Sequence, residues 1–152
     1  ILGFRPNQLD RDSPFGRNQL EILSDLDLVP DSPLASVSEK LVSSDSRASV
    51  ELRARSYLDA NCSYCHAPER LAQTSFDLRV DTPTASLGRA ELRFQSDTDA
   101  SGLLVPGYPE RSLLYLRMDT NQVGLKMPPI GRAVIDAQGT ALMKQWIAEM
   151  ER

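Results

Sequence analysis

The sequence predicts a mainly α-helical fold around a single core, with an N-terminal extension and an irregular central insertion. Apolar residues recur at helical spacing in three well-separated segments, residues 18–26, 46–61 and 136–150. The ten prolines and eight glycines indicate long irregular connections between short helices. A length of 152 residues suits one domain with one hydrophobic core.

Residues 1–45 are predicted to be an extension or collar, separate from a main domain at residues 46–152. Within them, residues 18–26 predict one short helix, and a stretch rich in Pro and Ser follows as a connection. The segment is either a collar on the main domain or the tail of a neighbouring one. Four of its apolar residues are expected to lean on the core, since exposing all of them would be unusual: Phe4, Phe15, Leu20 and Leu23.

A strong helical pattern begins at Ser46, where Ser46 or Asp45 can cap the first turn. One stripe of this helix carries the apolar residues Val50, Ala54, Tyr57 and Leu58. The helix runs directly into residues 61–66 and therefore delivers that stretch to the core.

The middle of the chain has weaker patterns. Phe76, Leu78 and Val80 alternate with polar residues, as do Leu92 and Phe94, so short strands or extended loops are expected there. A turn at residues 105–111 then leads into a short helix at residues 112–118.

Two further elements complete the prediction. Consecutive prolines at residues 128 and 129 forbid a helix and stiffen the loop around Met127. A closing helix is predicted from its N-cap Asp136 to about Met150. Its Trp146 is expected to pack against Tyr57 and Leu58, which would close the fold.

Residues 62–66 (CSYCH) contain both cysteines and the only histidine of the chain. Two thiols at this spacing can each add to a vinyl group of a porphyrin, and the following imidazole can bind the iron from one face. The motif therefore predicts one covalently attached haem c, with Cys62 and Cys65 in thioether bonds and His66 as an axial ligand.

Other uses of a Cys-x-x-Cys pair fit less well. A structural zinc site needs four ligands, whereas the chain has only three Cys and His side chains in total. A thioredoxin-type redox pair follows a strand and opens a helix, but here a helical pattern precedes the motif.

Charge and hydropathy narrow the classes of partner. The formal net charge is −4 and the sequence pI is about 5.0, which disfavours nucleic acid as a partner. No run of about 20 apolar residues is present, so no membrane span is expected.

The chain begins at Ile1 without a leader and is interpreted as a mature product or an excised module. Haem c attachment takes place outside the bacterial cytoplasm, so a periplasmic or secreted location is expected.

These pieces together resemble a class I monohaem c-type cytochrome over about residues 46–152. The resemblance rests on the helix that ends at residues 61–66, the loop at residues 126–130 and the closing helix through Trp146. It implies a cytochrome c-like helical globule with crossed first and last helices around one haem. It also implies one-electron transfer, so the protein is expected to be an electron carrier and not an enzyme. In this family pattern the iron is held by a histidine and a methionine, here His66 and Met127.

Met127 is the predicted sixth ligand among four methionines. Met143 and Met150 share the apolar face of the closing helix, and Met118 ends a short helix beside Leu114, so packing explains all three. Met127 has no periodic partner and lies in a stiff loop, which leaves iron as the reason for its place. Met118 is the reserve candidate. The carbonyl of Pro106, or another of its turn, is expected to accept the Nδ1 proton of His66.

Two functions stay open at this point. A haem enzyme or sensor with an open sixth position, similar to a peroxidase, is the alternative to electron transfer. Such sites usually have a second histidine as a distal acid–base group, and this chain has only one histidine.

The turn at residues 105–112 with residues 127–129 further resembles bacterial cytochrome modules appended to larger exported redox or carbohydrate-active proteins. This implies an exported redox partner, such as a quinoprotein or a polysaccharide-oxidising system, for a monomeric domain. Tyr64, Ala67 and Ile130 are candidate docking residues at the haem edge.

Overall fold

The computed structural model describes residues 5–29, 40–68, 72, 76–87 and 100–151 of the chain. Regular structure in this part is helical, and the only β pairing there is two isolated bridges, so the mainly α prediction is confirmed. The helices are α1 (Pro6–Leu9), α2 (Gln19–Asp25), α3 (Val50–Asn61), α4 (Thr84–Leu87), α5 (Leu113–Met118) and α6 (Ala137–Glu149), with a short 3-10 helix at Pro109–Arg111. None of these helices is both long enough and apolar enough to cross a membrane.

Helix α3 begins later than the sequence predicts. Its N-cap is Ser49, whose hydroxyl accepts the N–H of Leu52 at 3.2 Å. The predicted caps Asp45 and Ser46 are wrong because both belong to the preceding turn. There the Ser43 hydroxyl donates to the Asp45 carboxylate, and the Ser46 N–H donates to the Ser43 carbonyl at 3.1 Å. Local hydrogen bonds of this kind compete with helix formation.

Helix α6 begins as predicted, since the Asp136 carboxylate accepts the N–H of Gly139 at 3.0 Å. Helices α3 and α6 form the most extensive helix–helix contact of the described residues. At their crossing, the Tyr57 ring lies directly against Gly139, where a side chain would collide with it. The Tyr57 hydroxyl also donates to the Asp136 carboxylate at 2.7 Å. A ring and a glycine thus fix the approach of the two helices.

One buried cluster joins α3, α5 and α6. Its members are Ala54, Leu58, Leu78, Leu87, Leu103, Leu104, Leu114, Met118, Leu142, Met143, Trp146 and Ile147, with Tyr57 among the partly buried residues packed against it. Trp146 and Leu58 therefore share a core, as expected for a closing helix. Tyr57 packs against this cluster and also lies directly against Gly139, two turns before Trp146.

Residues 76–80 form an irregular extended segment and no strand. The N–H of Leu78 donates to the His66 carbonyl at 2.8 Å, and the N–H of Val80 donates to the Asp59 carboxylate at 2.9 Å. Leu78 and Val80 are both buried. The alternation therefore marks a loop folded onto α3, while Leu92 and Phe94 lie outside the described residues.

The N-terminal part contacts the main domain. Arg5 pairs with the Asp59 carboxylate at 2.7 Å, and the N–H of Val42 donates to the Ser56 hydroxyl at 3.0 Å. These contacts join the described part of residues 1–45 to α3, while the division of the chain into a collar and a main domain stays a prediction.

The predicted helix of this collar is confirmed as α2, with Asn18 as its N-cap. Of its four apolar residues, Leu20 is buried and Leu23 is partly buried. The prediction for Phe15 is wrong because it sits in a tight turn between Ser13 and Gly16 and is 88% exposed. Phe4 lies outside the described residues.

Candidate functional site

The CSYCH motif forms a tight turn at the C-terminal end of α3. The Cys62 N–H continues the helix by donating to the Leu58 carbonyl at 2.9 Å. The Cys62 carbonyl then accepts two N–H groups, from Cys65 at 3.0 Å and from His66 at 2.9 Å. The turn therefore brings Cys62, Cys65 and His66 together at the end of a helix that buries one face, with Ala54 and Leu58 in the core cluster.

Ser63, inside the motif, anchors this turn to the interior. It is buried, its hydroxyl donates to the Asp59 carbonyl at 2.8 Å, and it accepts from Arg5 at 2.5 Å. Arg5 also pairs with the carboxylate of Asp59, which is fully buried. A collar residue thus braces the motif, a contact between positions 5 and 63 that local sequence patterns do not predict.

The two cysteines are partly buried and are not bonded to each other. Burial, followed by the neighbouring charge of Cys65, raises the pKa of Cys62 to about 12. A reactive redox thiol needs the opposite shift, and zinc binds thiolates, so this environment favours neither alternative use of the pair. In the described ranges, no three His, Cys, Asp or Glu side chains converge as ligands of a metal ion.

His66 is partly buried and its ring stacks on Phe76, with ring centroids 4.9 Å apart and planes 14° apart. Burial, and secondarily the positive charge of Arg117, lowers the pKa of His66. The imidazole is therefore neutral at pH 7, which is the form that binds metals. A metal binds an imidazole nitrogen in the plane of the ring, whereas Phe76 lies against the face of the ring, so the stack itself does not compete with a metal.

Met127 lies on a separate loop after α5. Its N–H donates to the Arg117 carbonyl at 2.9 Å, and its carbonyl accepts from the Arg132 guanidinium at 2.7 Å. The peptide bond between Met127 and Pro128 is cis. The Met127 loop is therefore joined to α5 through the backbone of Arg117.

Burial distinguishes Met127 from the other three methionines. Met118 and Met143 belong to the core cluster, and Met150 packs against it. Met127 is partly buried, and the cluster of described residues does not include it. Core packing therefore explains the other three and leaves the place of Met127 without that explanation.

Pro106 lines a groove of about 570 Å³ between the start of α3 and the end of α6. Ser49, Trp146 and Met150 line the same groove, and the N–H of Gly107 donates to the Ile147 carbonyl at 2.8 Å. The hydrogen bond from His66 to a carbonyl of this turn stays a prediction.

Three residues of the site are absent from the sequence predictions: Phe76, Arg117 and Arg132. Phe76 matched an alternating pattern, and nothing local indicated a stack on His66. The chain has 14 arginines, whose planar groups suit carboxylates, but that composition does not single out two of them. Contacts between distant residues decide all three roles.

Comparison with known proteins adds no constraint. No protein-family model, no curated protein and no solved structure matches the chain. Its function is therefore inferred from its residues and their geometry.

Proposed function

We propose that this protein is a c-type cytochrome that transfers single electrons through one haem. Cys62 and Cys65 would attach the haem covalently, and His66 and Met127 would bind its iron. The observation that carries the proposal is the turn after α3, which holds Cys62, Cys65 and His66 together through two hydrogen bonds to one carbonyl.

Several surroundings of the motif fit a haem. Cys62 is partly buried and packs against the hydrophobic core cluster, an environment that suits an apolar porphyrin edge. The imidazole of His66 is neutral and its ring is oriented by Phe76. A methionine available on a fixed loop would complete the ligand set.

Arg117 offers a partner for the charged edge of a haem. Its Nε is buried and has no hydrogen-bond acceptor among the described residues. Buried polar atoms are almost always paired, and a propionate carboxylate is an acceptor that a guanidinium binds well. Two observations support that role: the Arg117 carbonyl accepts the Met127 N–H at 2.9 Å, and the positive charge of Arg117 contributes to the lowered pKa of His66.

The axial ligands determine the type of chemistry. When bound, haem iron with an imidazole and a thioether changes its charge by one and leaves no position open for a substrate. His66 and Met127 would therefore make an electron carrier, and the thioether would raise the reduction potential relative to two histidines. An open sixth position, as in a peroxidase-like enzyme or sensor, would need Met127 to stay unbound.

The proposed location is the periplasm or the outside of the cell, because haem c is attached there. The proposed partner is an exported redox protein, on the sole basis of the cytochrome resemblance. Ile130 is 77% exposed, whereas Tyr64 and Ala67 are partly buried, so Ile130 is the most accessible of the three docking candidates. With a net charge of −4, the rate of electron exchange with a basic partner should fall as salt rises.

Absorption spectra of the chain, produced in a bacterial host that attaches haem c, test the ligand set. We expect a low-spin haem in both oxidation states and, in the ferric form, the weak red band of a sulfur-to-iron bond. Met127→Leu should abolish this band while the haem stays attached. Met118→Leu is the matched control, because leucine retains core packing but cannot bind iron.

The outcomes separate the two candidate functions. A high-spin ferric haem that binds cyanide rapidly would indicate an open sixth position and an enzyme or sensor. Loss of the red band in Met118→Leu, with its retention in Met127→Leu, would move the ligand to Met118.

A further inference from the structure

Arg132 connects three parts of the chain through backbone carbonyls. Its Nη1 donates to the carbonyl of Met118 at 2.8 Å and to that of Met127 at 2.7 Å. Its Nη2 donates to the carbonyl of Thr120, in a close contact. One planar side chain therefore joins the end of α5, the turn that follows it and the Met127 loop.

The guanidinium of Arg132 donates to these carbonyls and pairs with no carboxylate of the described residues. Arg132 forms no salt bridge in the part of the chain that the structure describes. The last carbonyls of a helix lack partners within the helix and carry partial negative charge, so a guanidinium there is favourable. Lys126 adds a return contact, since its ammonium donates to the Arg132 carbonyl at 2.8 Å.

The backbone of Met127 is held on both sides as a result. Its N–H donates to the carbonyl of Arg117 on α5, and its carbonyl accepts from Arg132. Helix α5 is itself anchored, because Leu114 and Met118 belong to the core cluster. The backbone of Met127 is thus tied to the core through α5 on one side and to Arg132 on the other.

We propose that Arg132 is the positioning residue of the sixth ligand, holding the Met127 loop so that the thioether stays on the iron. This inference rests on the proposed function, since it requires Met127 to be that ligand. In this role Arg132 acts through the Met127 loop and needs no contact with the CSYCH motif or with the haem. Its loss weakens the sulfur-to-iron bond and leaves the thioether attachments at Cys62 and Cys65 intact.

Two variants test the proposal in the full haem-bound chain. Arg132→Gln removes the charge, and Arg132→Lys retains it but replaces the planar fork, whose two nitrogens divide the three carbonyls between them, by a single ammonium. Arg111→Gln is the matched control, because Arg111 is exposed and lies over the Tyr108 ring. Added imidazole competes with the methionine for ferric iron, so its affinity reports how firmly the sulfur is held.

We expect both Arg132 variants to keep the haem, to show a weaker or absent red band, and to bind imidazole about tenfold or more tightly than the parent. Circular dichroism on the same samples shows whether the helices persist, which separates a loosened ligand from a lost fold. Red bands and imidazole affinities equal to those of the Arg111→Gln control would overturn the proposal. A parent protein without the red band would refute the proposed ligand set itself, and this inference with it.

A measurement on the unaltered protein tests the contacts on which the proposal depends if neither variant folds. The guanidinium protons of Arg132 should exchange slowly with solvent in nuclear magnetic resonance spectra, because three carbonyls accept them. Exchange as fast as that of the exposed Arg111 would overturn the proposal.

Discussion

Replacing Gly139 by alanine tests the contact between α3 and α6 most sharply, because two effects of opposite sign compete there. Alanine favours a helix over glycine by at most about 1 kcal/mol. The new methyl group, however, would collide with the outer ring atoms and the hydroxyl of Tyr57. The ring must then move and lose its hydrogen bond to the Asp136 carboxylate.

The opposing costs are larger than the helical gain. Overpacking of this kind costs about 1–3 kcal/mol, and a lost hydrogen bond adds about 1 kcal/mol. After subtraction of the gain in helix propensity, we expect Gly139→Ala to lower the free energy of unfolding by about 1–3 kcal/mol. The steric cost at Tyr57 is therefore larger than the gain from the higher helix propensity of alanine.

Urea unfolding of the haem-bound chain, followed by far-ultraviolet circular dichroism, measures this effect. Tyr57→Leu removes the atoms that collide, so it is the background in which the methyl group meets no ring. In that background Gly139→Ala should be neutral or stabilising. A Gly139→Ala protein that is more stable than the parent would show that the two helices do not approach at this point.

Two further predictions concern charge. The hydrogen bonds from the Gly139 N–H and then the Tyr57 hydroxyl hold the pKa of Asp136 below its ordinary value of 3.8. The folded state therefore prefers the carboxylate, and its stabilising effect should be lost as the pH falls from about 5 to 2. Asp136→Asn retains a capping side chain but cannot titrate, so its urea unfolding midpoint should fall less than that of the parent over this pH range. An equal fall in both proteins would contradict this prediction. Arg5→Leu leaves the buried Asp59 carboxylate without its ion pair and should destabilise the protein by about 1–2 kcal/mol, since Arg5 is itself partly exposed. Thermal unfolding that matches the parent would show that the collar does not brace the motif.

Signals within a few residues made α2, α3, α5 and α6 predictable, whereas the four-residue helices α1 and α4 lie where turns were expected. Asn18 and Asp136 cap α2 and α6 as their sequence neighbourhoods indicate, since a capping side chain binds an N–H two or three residues away. The start of α3 was missed because four serines and an aspartate lie within residues 43–49, and several of them can cap or turn. Which one caps depends on the packing of the whole helix.

The candidate site was predictable only where its residues are adjacent. Cys62, Cys65 and His66 form a contiguous motif, so their shared turn follows from sequence. Phe76 and Arg132 act through contacts that depend on how distant loops fold, and no periodicity encodes such contacts. The exposure of Phe15 could not be predicted from its hydrophobicity either. The conformation of a four-residue turn decides whether this side chain is buried.

The mass of the mature protein tests the central claim most directly. Two thioether bonds predict a chain heavier than its polypeptide by one haem, with a colour that acidified acetone does not extract. Cys62→Ser and Cys65→Ser should each leave one bond and the double variant none, so only the double variant should release its haem. A parent chain with the mass of the bare polypeptide, or one whose colour extracts completely, would contradict the proposal that residues 62–66 attach haem c.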